Sequence, residues 1–365
     1  MAGQRLTFAD ARARDCGERT VARRTGDGTL ASTDGAGYAA PEFIIYPRKR
    51  AYTMVNPPLD ALNPVGTDAL LLEAAQKLGL TQHLLELELN GFTVVPPEKV
   101  ASPEFTAALR EAVLETHRRR TDTGTYVERM QQSATHGLGD LMPKILWDDP
   151  IFETALMNPV VQTLARAMAG HTCRISVFEG AVKAKGDTDL TFHADTAMTE
   201  PYPIVPQHCN VTYALSDYSR EHGSTMFVPG SHKLLRQPVM GEVTQELSSR
   251  DRPASLFGTG IPEPVAVECP AGSIIAWYGA TWHGASPRTV DGHRISMLMY
   301  FCRWYLKPQT KMWLDMPEGA LERNSPRFAQ CIDYYNGWEI KEPSIDPANA
   351  MAGRTVFPIL DVPLP

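Results

Sequence analysis

The chain has 365 residues, of which 43% are apolar and 21% are charged, and its formal net charge is −7. These values are those of an ordinary globular protein with a large core, and the mildly acidic balance offers no basic surface for nucleic acid. No segment approaches the roughly 20 consecutive apolar residues of a membrane span, and the polar N-terminus lacks the apolar stretch of a secretory signal. Six cysteines without a C-x-x-C pair are typical of thiols in a reducing environment, so we expect a cytoplasmic protein.

Residues 1–170 favour helices, after an N-terminal arm of weak periodicity. Apolar residues recur at helical spacing between Thr67 and Glu88, and Gly79 breaks this pattern. Ser102 before Pro103 is typical of a helix N-terminus, because a serine oxygen accepts a hydrogen bond from a backbone N–H of the first turn. The predicted elements are an irregular arm over 1–40, helices over 67–88, 103–119 and 151–169, and a strand over 92–95.

After Gly170 the pattern changes to short apolar runs separated by Gly, Pro, Asp and Ser, which is typical of a β-sandwich or barrel. One helix is predicted near Pro326–Tyr335, before a proline-rich tail. The predicted class is therefore α+β, with helices first, then a β core, then a C-terminal cover. The predicted strands run over 173–183, 208–215, 225–230, 264–270, 272–279 and 294–306.

Three residues have the chemistry and spacing of a non-haem iron site. His193 and Asp195 are two apart in an extended segment, so both side chains project to the same side. An ion bound there needs a third ligand, and His283 is the best candidate because it follows an apolar strand and precedes the small Gly284. Two histidines and one carboxylate on one face of an octahedron leave three positions for cosubstrate and oxygen, which is the arrangement of Fe(II) oxygenases.

A receptor for a carboxylate is predicted downstream of His283. Asp291-Gly292 indicates a turn, and Arg294 and Ser296 share one face of the strand that follows. A guanidinium beside a hydroxyl binds a carboxylate through two forked donors and a third. This arrangement suits the far carboxylate of 2-oxoglutarate, whose keto-acid end chelates iron.

The order of these motifs resembles the phytanoyl-CoA dioxygenase-like family of Fe(II)/2-oxoglutarate-dependent oxygenases. The chain is similar to that family in its H-x-D pair, its distal His, an Arg after ten intervening residues and a Ser two further on. The segments ELNGFTVV, NPVVQTLARAMAG, AVKAKGD and YALSDYSREHGSTMFVPGSHK add to the resemblance, which covers residues 85–335. It implies a double-stranded β-helix, a jelly-roll or cupin-like barrel, that binds Fe(II) and 2-oxoglutarate at one mouth and uses O₂. The organisation expected is an arm and helical extension over 1–84, an oxygenase domain over 85–335, and a tail packed on the domain over 336–365.

The resemblance also implies cosubstrate contacts beyond Arg294 and Ser296. Tyr213 and Lys183 match positions from which the family contacts 2-oxoglutarate, with a core tyrosine and a solvated strand-end lysine as the alternatives. The family's usual Asn-Gly in the central turn is His222-Gly223 here, so we expect His222 to serve the turn rather than the metal.

The predicted reaction is hydroxylation of an unactivated C–H bond of a small organic molecule, with release of succinate and CO₂. Asp195 favours this outcome over halogenation, because a halogenating relative needs a small residue there to free a position for chloride. Desaturation or cyclisation by the same site, a non-catalytic metal- or small-molecule-binding β-barrel, and a cupin-type enzyme without a cosubstrate are the alternatives.

The expected substrate is a small organic molecule. Contacts with it are expected from the segments 196–207 and 231–263, and His208 opens a strand near the predicted site. Nucleic acid and membrane are not expected as partners, and a homodimer is left open. Side chains that offer further substrate surface are Trp282, Trp304, Arg303 and Lys307.

Overall fold

A computed structural model of the chain describes residues 64–124, 128–129, 136–196, 198–239, 242–243, 261–334 and 364–365. The arm predicted over 1–40 and most of the predicted tail lie outside these ranges, and the proposed domain boundaries stay predictions. None of the described helices combines the length and the apolar character that crossing a membrane requires.

Five of the six helices in the described ranges lie before Gly170, as the sequence predicts. Ser102 caps the third helix, because its hydroxyl accepts a hydrogen bond from the Phe105 N–H at 3.2 Å. The helices of the described ranges are α1 (Pro64–Lys77), α2 (Thr81–Asn90), α3 (Pro103–Asp122), α4 (Pro150–Leu156), α5 (Pro159–Ala169) and α6 (Pro326–Cys331).

The single helix predicted over 151–169 is wrong, because the structure divides this segment into α4 and α5. The Asn158 side chain accepts a hydrogen bond from the Val160 N–H at 2.8 Å, and Pro159 occupies the first turn of α5. A proline disfavours helical geometry in the residue before it, so one helix ends here and a new one begins.

Gly91 allows the sharp change of direction between α2 and the first strand. Its φ is +86°, and a Cβ there would lie 2.5 Å from Nδ1 of His232 and 2.6 Å from Oγ1 of Thr281. A side chain at this position would therefore be strained and would clash. The turn predicted at Asn90-Gly91 is present in this form.

Eleven strands in the described ranges form two antiparallel sheets. They are β1 (Phe92–Val95), β2 (Glu128–Arg129), β3 (Asp140–Pro143), β4 (Arg174–Ala184), β5 (Leu190–His193), β6 (His208–Ala214), β7 (Thr225–Phe227), β8 (Val265–Ala266), β9 (Ile274–Tyr278), β10 (His283–Ala285) and β11 (His293–Cys302). The larger sheet has the order β1-β9-β6-β11-β4-β3-β2, and the smaller has the order β5-β10-β7-β8. The two antiparallel sheets form a double-stranded β-helix, the predicted fold.

The two faces of strand β11 have different surroundings, the apolar core on one face and a cavity on the other. Met297, Met299 and Phe301 belong to the main apolar core, together with buried residues of the helices. The alternate side chains face a cavity of about 400 Å³. Side chains alternate between the two faces of a strand, so one strand serves both the core and the cavity. The β11 residues that line the cavity are Arg294, Ser296, Leu298 and Tyr300.

Candidate metal centre and cosubstrate pocket

The pairing of β5 with β10 brings the three predicted ligands together. His193 and His283 are register partners in this antiparallel pair, and Asp195 follows β5 directly. One side-chain atom of each residue lies within 4.8 Å of one atom of each of the others. No other group of three or more His, Cys, Asp or Glu side chains with this closeness occurs in the described ranges.

The distances within the triad fit a small divalent ion. Nε2 of His193 lies 3.3 Å from Oδ1 of Asp195, and Nε2 of His283 lies 3.2 Å from Oδ2. Ligand atoms about 2.1 Å from a metal and at right angles to one another are about 3 Å apart. The three groups therefore present their donor atoms toward one common point.

Backbone carbonyls fix the tautomers of both imidazoles. Nδ1 of His193 lies 2.8 Å from the Thr191 carbonyl, and Nδ1 of His283 lies 3.0 Å from the Thr281 carbonyl. In each ring Nδ1 must carry the hydrogen, so Nε2 offers its lone pair toward the triad centre. Metal-bound histidines commonly donate their second N–H in this way.

Asp195 is held from two sides. Nδ2 of Asn210 donates a hydrogen bond to Oδ2 of Asp195 at 2.8 Å. The Tyr300 hydroxyl donates a hydrogen bond to the backbone carbonyl of Asp195 at 2.7 Å. Burial opposes ionisation, but His283 and His193 hold the pKa of the Asp195 carboxyl well below its usual range. Burial lowers the pKa of His193, but the hydrogen bond and charge of Asp195 outweigh this effect and raise it. With Nε2 deprotonated, both imidazoles can bind a metal beside the Asp195 carboxylate, and this donor set fits Fe(II).

Gln237 clamps the residue between the two ligands of the H-x-D motif. Its Oε1 accepts a hydrogen bond from the Ala194 N–H, and its Nε2 donates to the Ala194 carbonyl, both at 2.7 Å. The side chain thus satisfies both backbone groups of Ala194, as a neighbouring strand would. It fixes the peptide that carries His193 and Asp195.

Replacing Gln237 by methionine is expected to weaken binding of Fe(II) or Co(II) about tenfold, the order of loss for outer-shell contacts of metal sites. Methionine has a similar length but lacks both hydrogen bonds to Ala194. Calorimetric titration of the metal under anaerobic conditions measures the change. Gln207→Met is the matched control, because the Gln207 amide bonds to the Val205 carbonyl and the Tyr305 hydroxyl instead. Equal metal affinities for the two variants would contradict a role of the Gln237–Ala194 hydrogen bonds in metal binding.

Arg294 lies at the other end of the cavity and is 2% exposed. Its Nη1 donates to the Gly223 carbonyl, and its guanidinium lies 5.4 Å from the centre of the Tyr218 ring. Ser296 and Tyr218 also line the cavity. Within the described part of the chain, Arg294 forms no ion pair with a carboxylate. A buried cation without an anionic partner is costly, and a ligand carboxylate would supply that partner.

Three buried polar atoms around this cavity also fit a polar ligand. Nε of Arg294, Oγ1 of Thr212 and Nε1 of Trp277 have no hydrogen-bond partner among the described residues. Buried polar atoms are almost always paired in folded proteins. The cavity thus has the cation and the spare donors that 2-oxoglutarate would use. Thr212, Trp277 and Tyr218 are not among the residues that the sequence predicts.

The structure does not bring Tyr213 to the cavity. Its side chain lies in the main core, and its hydroxyl donates to the Ala155 carbonyl at 3.1 Å. Its neighbours Thr212 and Asn210 face the cavity instead. The expectation of a cosubstrate contact is therefore corrected in favour of the core tyrosine.

Lys183 differs from both of its predicted alternatives. It is completely buried, so it is not a solvated strand-end lysine, and it does not line the cavity. Its Nζ donates to the Thr188 carbonyl at 2.9 Å and to the Ser286 carbonyl at 2.6 Å. Lys183 is the register partner of Arg294 in the β4–β11 pair, so it lies on the same face of the sheet, next to the arginine end of the cavity but outside its wall.

Three further histidines, His208, His222 and His232, contact neighbouring side chains outside the triad. His222 hydrogen-bonds Ser219 within its turn, as expected, and His232 stacks on Tyr278. His208 stacks on Tyr300 with ring centres 5.2 Å apart, so it supports the tyrosine that holds Asp195.

The four side chains proposed as substrate surface do not line the cavity. Trp282 is completely buried, and its Nε1 donates to the Arg236 carbonyl at 2.7 Å. Arg303 donates from Nε to the Pro206 carbonyl at 2.6 Å. The expectation of substrate contacts is therefore corrected for Trp282 and Arg303, and Trp304 and Lys307 also lie outside the cavity wall.

Seven residues of the cavity wall belong neither to the triad nor to the arginine end, and the wall that they form is here called the side lobe. Glu179 and Val177 of β4 lie opposite Leu298 and Tyr300 of β11 in the antiparallel register. Leu141 of β3 closes the side of this lobe. The wall is thus mainly apolar, with polar groups at few positions, as in sites for small organic ligands. The lobe is lined by Leu138, Leu141, Val177, Glu179, Leu298, Tyr300 and Gln309.

The β-helix, the His–Asp–His triad and the buried arginine define the class of Fe(II)- and 2-oxoglutarate-dependent dioxygenases. The family model described as phytanoyl-CoA dioxygenase (PhyH) matches residues 87–296 of the chain. The chain belongs to this family.

Individual relatives are distant. The chain is 25% identical over 186 residues to dioxygenase af480 of Aspergillus fumigatus, and this match covers 50% of the chain and 55% of that protein. It is 23% identical over 252 residues to protein Rv1501 of Mycobacterium tuberculosis, with 67% of the chain and 84% of that protein covered.

Solved structures with a similar fold include HygX from Streptomyces hygroscopicus with nickel and 2-oxoglutarate bound. Its TM-score is 0.47 at 20% identity, over 62% of this chain and 88% of that chain. The epimerase SnoN in complex with Fe³⁺, α-ketoglutarate and nogalamycin RO has a TM-score of 0.47 at 22% identity, over 67% of this chain and 91% of that chain.

Proposed function

We propose that the protein hydroxylates an unactivated C–H bond of a small organic molecule, using Fe(II), 2-oxoglutarate and O₂ and releasing succinate and CO₂. The observation that carries the proposal is the convergence of His193, Asp195 and His283 in the same cavity as the buried Arg294. Family membership supports the same chemistry. The five described cysteines are buried free thiols, which supports a reducing, cytoplasmic location.

Each residue has a separate task in this proposal. His193, Asp195 and His283 would hold Fe(II), while Arg294 and Ser296 would bind the far carboxylate of 2-oxoglutarate. When both are bound, they supply the oxidative decarboxylation that activates O₂. Asn210 orients the Asp195 carboxylate, and the apolar wall of the cavity excludes water. Asp195 also occupies the position that a halide would need, which favours hydroxylation.

We place the substrate in the side lobe, because the rest of the cavity wall contains the triad, Arg294 and the polar residues near them. The lobe accepts a compact molecule with apolar surface and a hydrogen-bonding group that faces Glu179 or Gln309. A cavity of about 400 Å³ for cosubstrate and substrate together suits a small organic molecule.

The test is a screen of small metabolites for succinate formation that requires Fe(II), 2-oxoglutarate and O₂, with mass spectrometry of the product. The proposal expects a product heavier than its substrate by one oxygen atom. A product lighter by two hydrogen atoms would show desaturation or cyclisation instead. Absence of 2-oxoglutarate consumption with every metabolite, together with absence of 2-oxoglutarate binding, would contradict the proposal.

Replacing Val177 by tryptophan is expected to reduce substrate-dependent succinate formation by at least about tenfold, because the larger ring fills the lobe. Binding of metal and 2-oxoglutarate should stay near the wild-type level, since Val177 lies outside the triad and the arginine end. Leu314→Trp is the control, because Leu314 is exposed outside the cavity. Loss of 2-oxoglutarate binding in Val177→Trp would show that the lobe is misassigned.

A further inference from the structure

We propose that Lys183 is a positioning residue, whose amine joins the segment before β5 to the segment after β10 and so fixes the spacing of the two metal-ligand strands. The inference rests on the proposed function, because it assumes that His193 and His283 bind one metal ion. Lys183 touches neither the metal ligands nor the cavity in the described structure. It acts through the strands that carry the ligands.

The contacts of the Lys183 amine determine this role. One acceptor, the Thr188 carbonyl, lies two residues before β5, which ends at His193. The other, the Ser286 carbonyl, follows β10, which begins at His283. The amine thus bridges the ends of the two strands that lie away from the ligands.

The pairing of β5 with β10 is short and irregular. The strands have only four and three residues, and their register shifts between His283 and Ala285. Two such short strands make few ladder hydrogen bonds with each other. A buried amine bonded to two carbonyls adds a connection where the ladder ends, and those carbonyls would be costly to leave unpaired.

The surroundings of Lys183 explain why a lysine serves here. Burial and the neighbouring Arg294 guanidinium lower the pKa of Lys183 to about 6. A neutral amine has two hydrogens, and the structure gives Nζ two carbonyl acceptors. The residue can therefore bridge the strands without placing a second permanent cation beside Arg294.

The test compares Lys183→Met with the wild type by anaerobic titration of Fe(II), and then of 2-oxoglutarate at saturating metal. Methionine fills similar space but donates no hydrogen bonds, so the Kd for metal is expected to rise about tenfold, the lower end of the loss for outer-shell contacts. The Kd for 2-oxoglutarate at saturating metal should change little. Tyr213→Phe is the matched control, because it also removes a buried hydrogen bond to a backbone carbonyl but lies away from β5 and β10. Its metal affinity should equal that of the wild type.

The outcomes separate this inference from the proposed function. Wild-type protein that binds neither Fe(II) nor 2-oxoglutarate would overturn the proposed function. Wild-type protein that binds both, with Lys183→Met binding metal equally well, would overturn only the positioning role. Loss of 2-oxoglutarate affinity at unchanged metal affinity would likewise overturn it, because Lys183 would then act on the cosubstrate.

A measurement on the wild type keeps the inference testable if Lys183→Met does not fold. Coupling between two sites is reciprocal, so metal binding should hold the amine more firmly in its bridge. Acylation of Lys183, followed by mass spectrometry, is expected to be slower with metal than without it. Equal rates, with exposed lysines as the internal standard, would overturn the positioning role.

Discussion

Asp195→Ala is expected to abolish metal-dependent turnover. Asp195 is the single carboxylate of the triad, and its two oxygens lie 3.3 Å and 3.2 Å from the imidazoles of His193 and His283. Without it, two neutral imidazoles remain, and no negative charge offsets that of Fe(II). The loss should exceed the roughly 10- to 100-fold effect of removing an outer-shell contact. Metal titration and succinate formation measure it.

The control for this variant is Asp189→Ala, which removes an exposed carboxylate four residues before the β5 ligand. It should retain metal binding and turnover. Asp195→Ala that binds Fe(II) as tightly as the wild type would show that the triad is not the metal site. A circular dichroism spectrum of each variant establishes that both are folded.

Arg294→Met is expected to raise the KM for 2-oxoglutarate strongly and to leave metal affinity near the wild-type level. Truncating one partner of a buried charge pair costs about 2–4 kcal/mol, which is about 30- to 700-fold in affinity. The KM of Arg294→Lys for 2-oxoglutarate should fall between those of the wild type and Arg294→Met, because a lysine keeps the charge but loses the forked geometry. The measurement is the dependence of succinate formation on 2-oxoglutarate concentration.

The neighbouring Arg288 provides a matched control. It is 4% exposed, and its guanidinium donates to the carbonyls of His222, Asp291 and Gly292. Arg288→Met should lower thermal stability with little change in the KM for 2-oxoglutarate. An unchanged KM in Arg294→Met would refute the cosubstrate assignment.

The sequence predicted the cavity face of β11 because that strand has a defined start. The turn at Asp291-Gly292 sets where the strand begins, and two-residue alternation then places Arg294 and Ser296 on one face. The H-x-D spacing placed His193 and Asp195 on one side by the same reasoning. Local geometry was sufficient in both cases.

The error at Tyr213 has a physical cause. All seven residues of β6 are buried, so no alternation of apolar and polar residues shows which face points to the cavity. A shift of one residue moves every side chain to the opposite face. Thr212 and Asn210 occupy the cavity face, to which the family resemblance had assigned Tyr213.

The supporting contacts of the triad come from remote segments. Gln237 clamps Ala194 from 43 positions away, and Asn210 reaches Asp195 from a different strand. Neither residue belongs to a motif, because its role depends on the packing of the two sheets. The strands β5 and β10 are also too short for a periodic signal, with four and three residues.

Anaerobic titration of the wild-type protein with Fe(II) and 2-oxoglutarate tests the central claim most directly. If one cavity holds the metal and the chelating keto acid, a weak visible charge-transfer band should appear only when both are present. The band should be absent in Asp195→Ala and should need far more 2-oxoglutarate in Arg294→Met. Wild-type protein that shows no band at saturating concentrations of both would contradict the account.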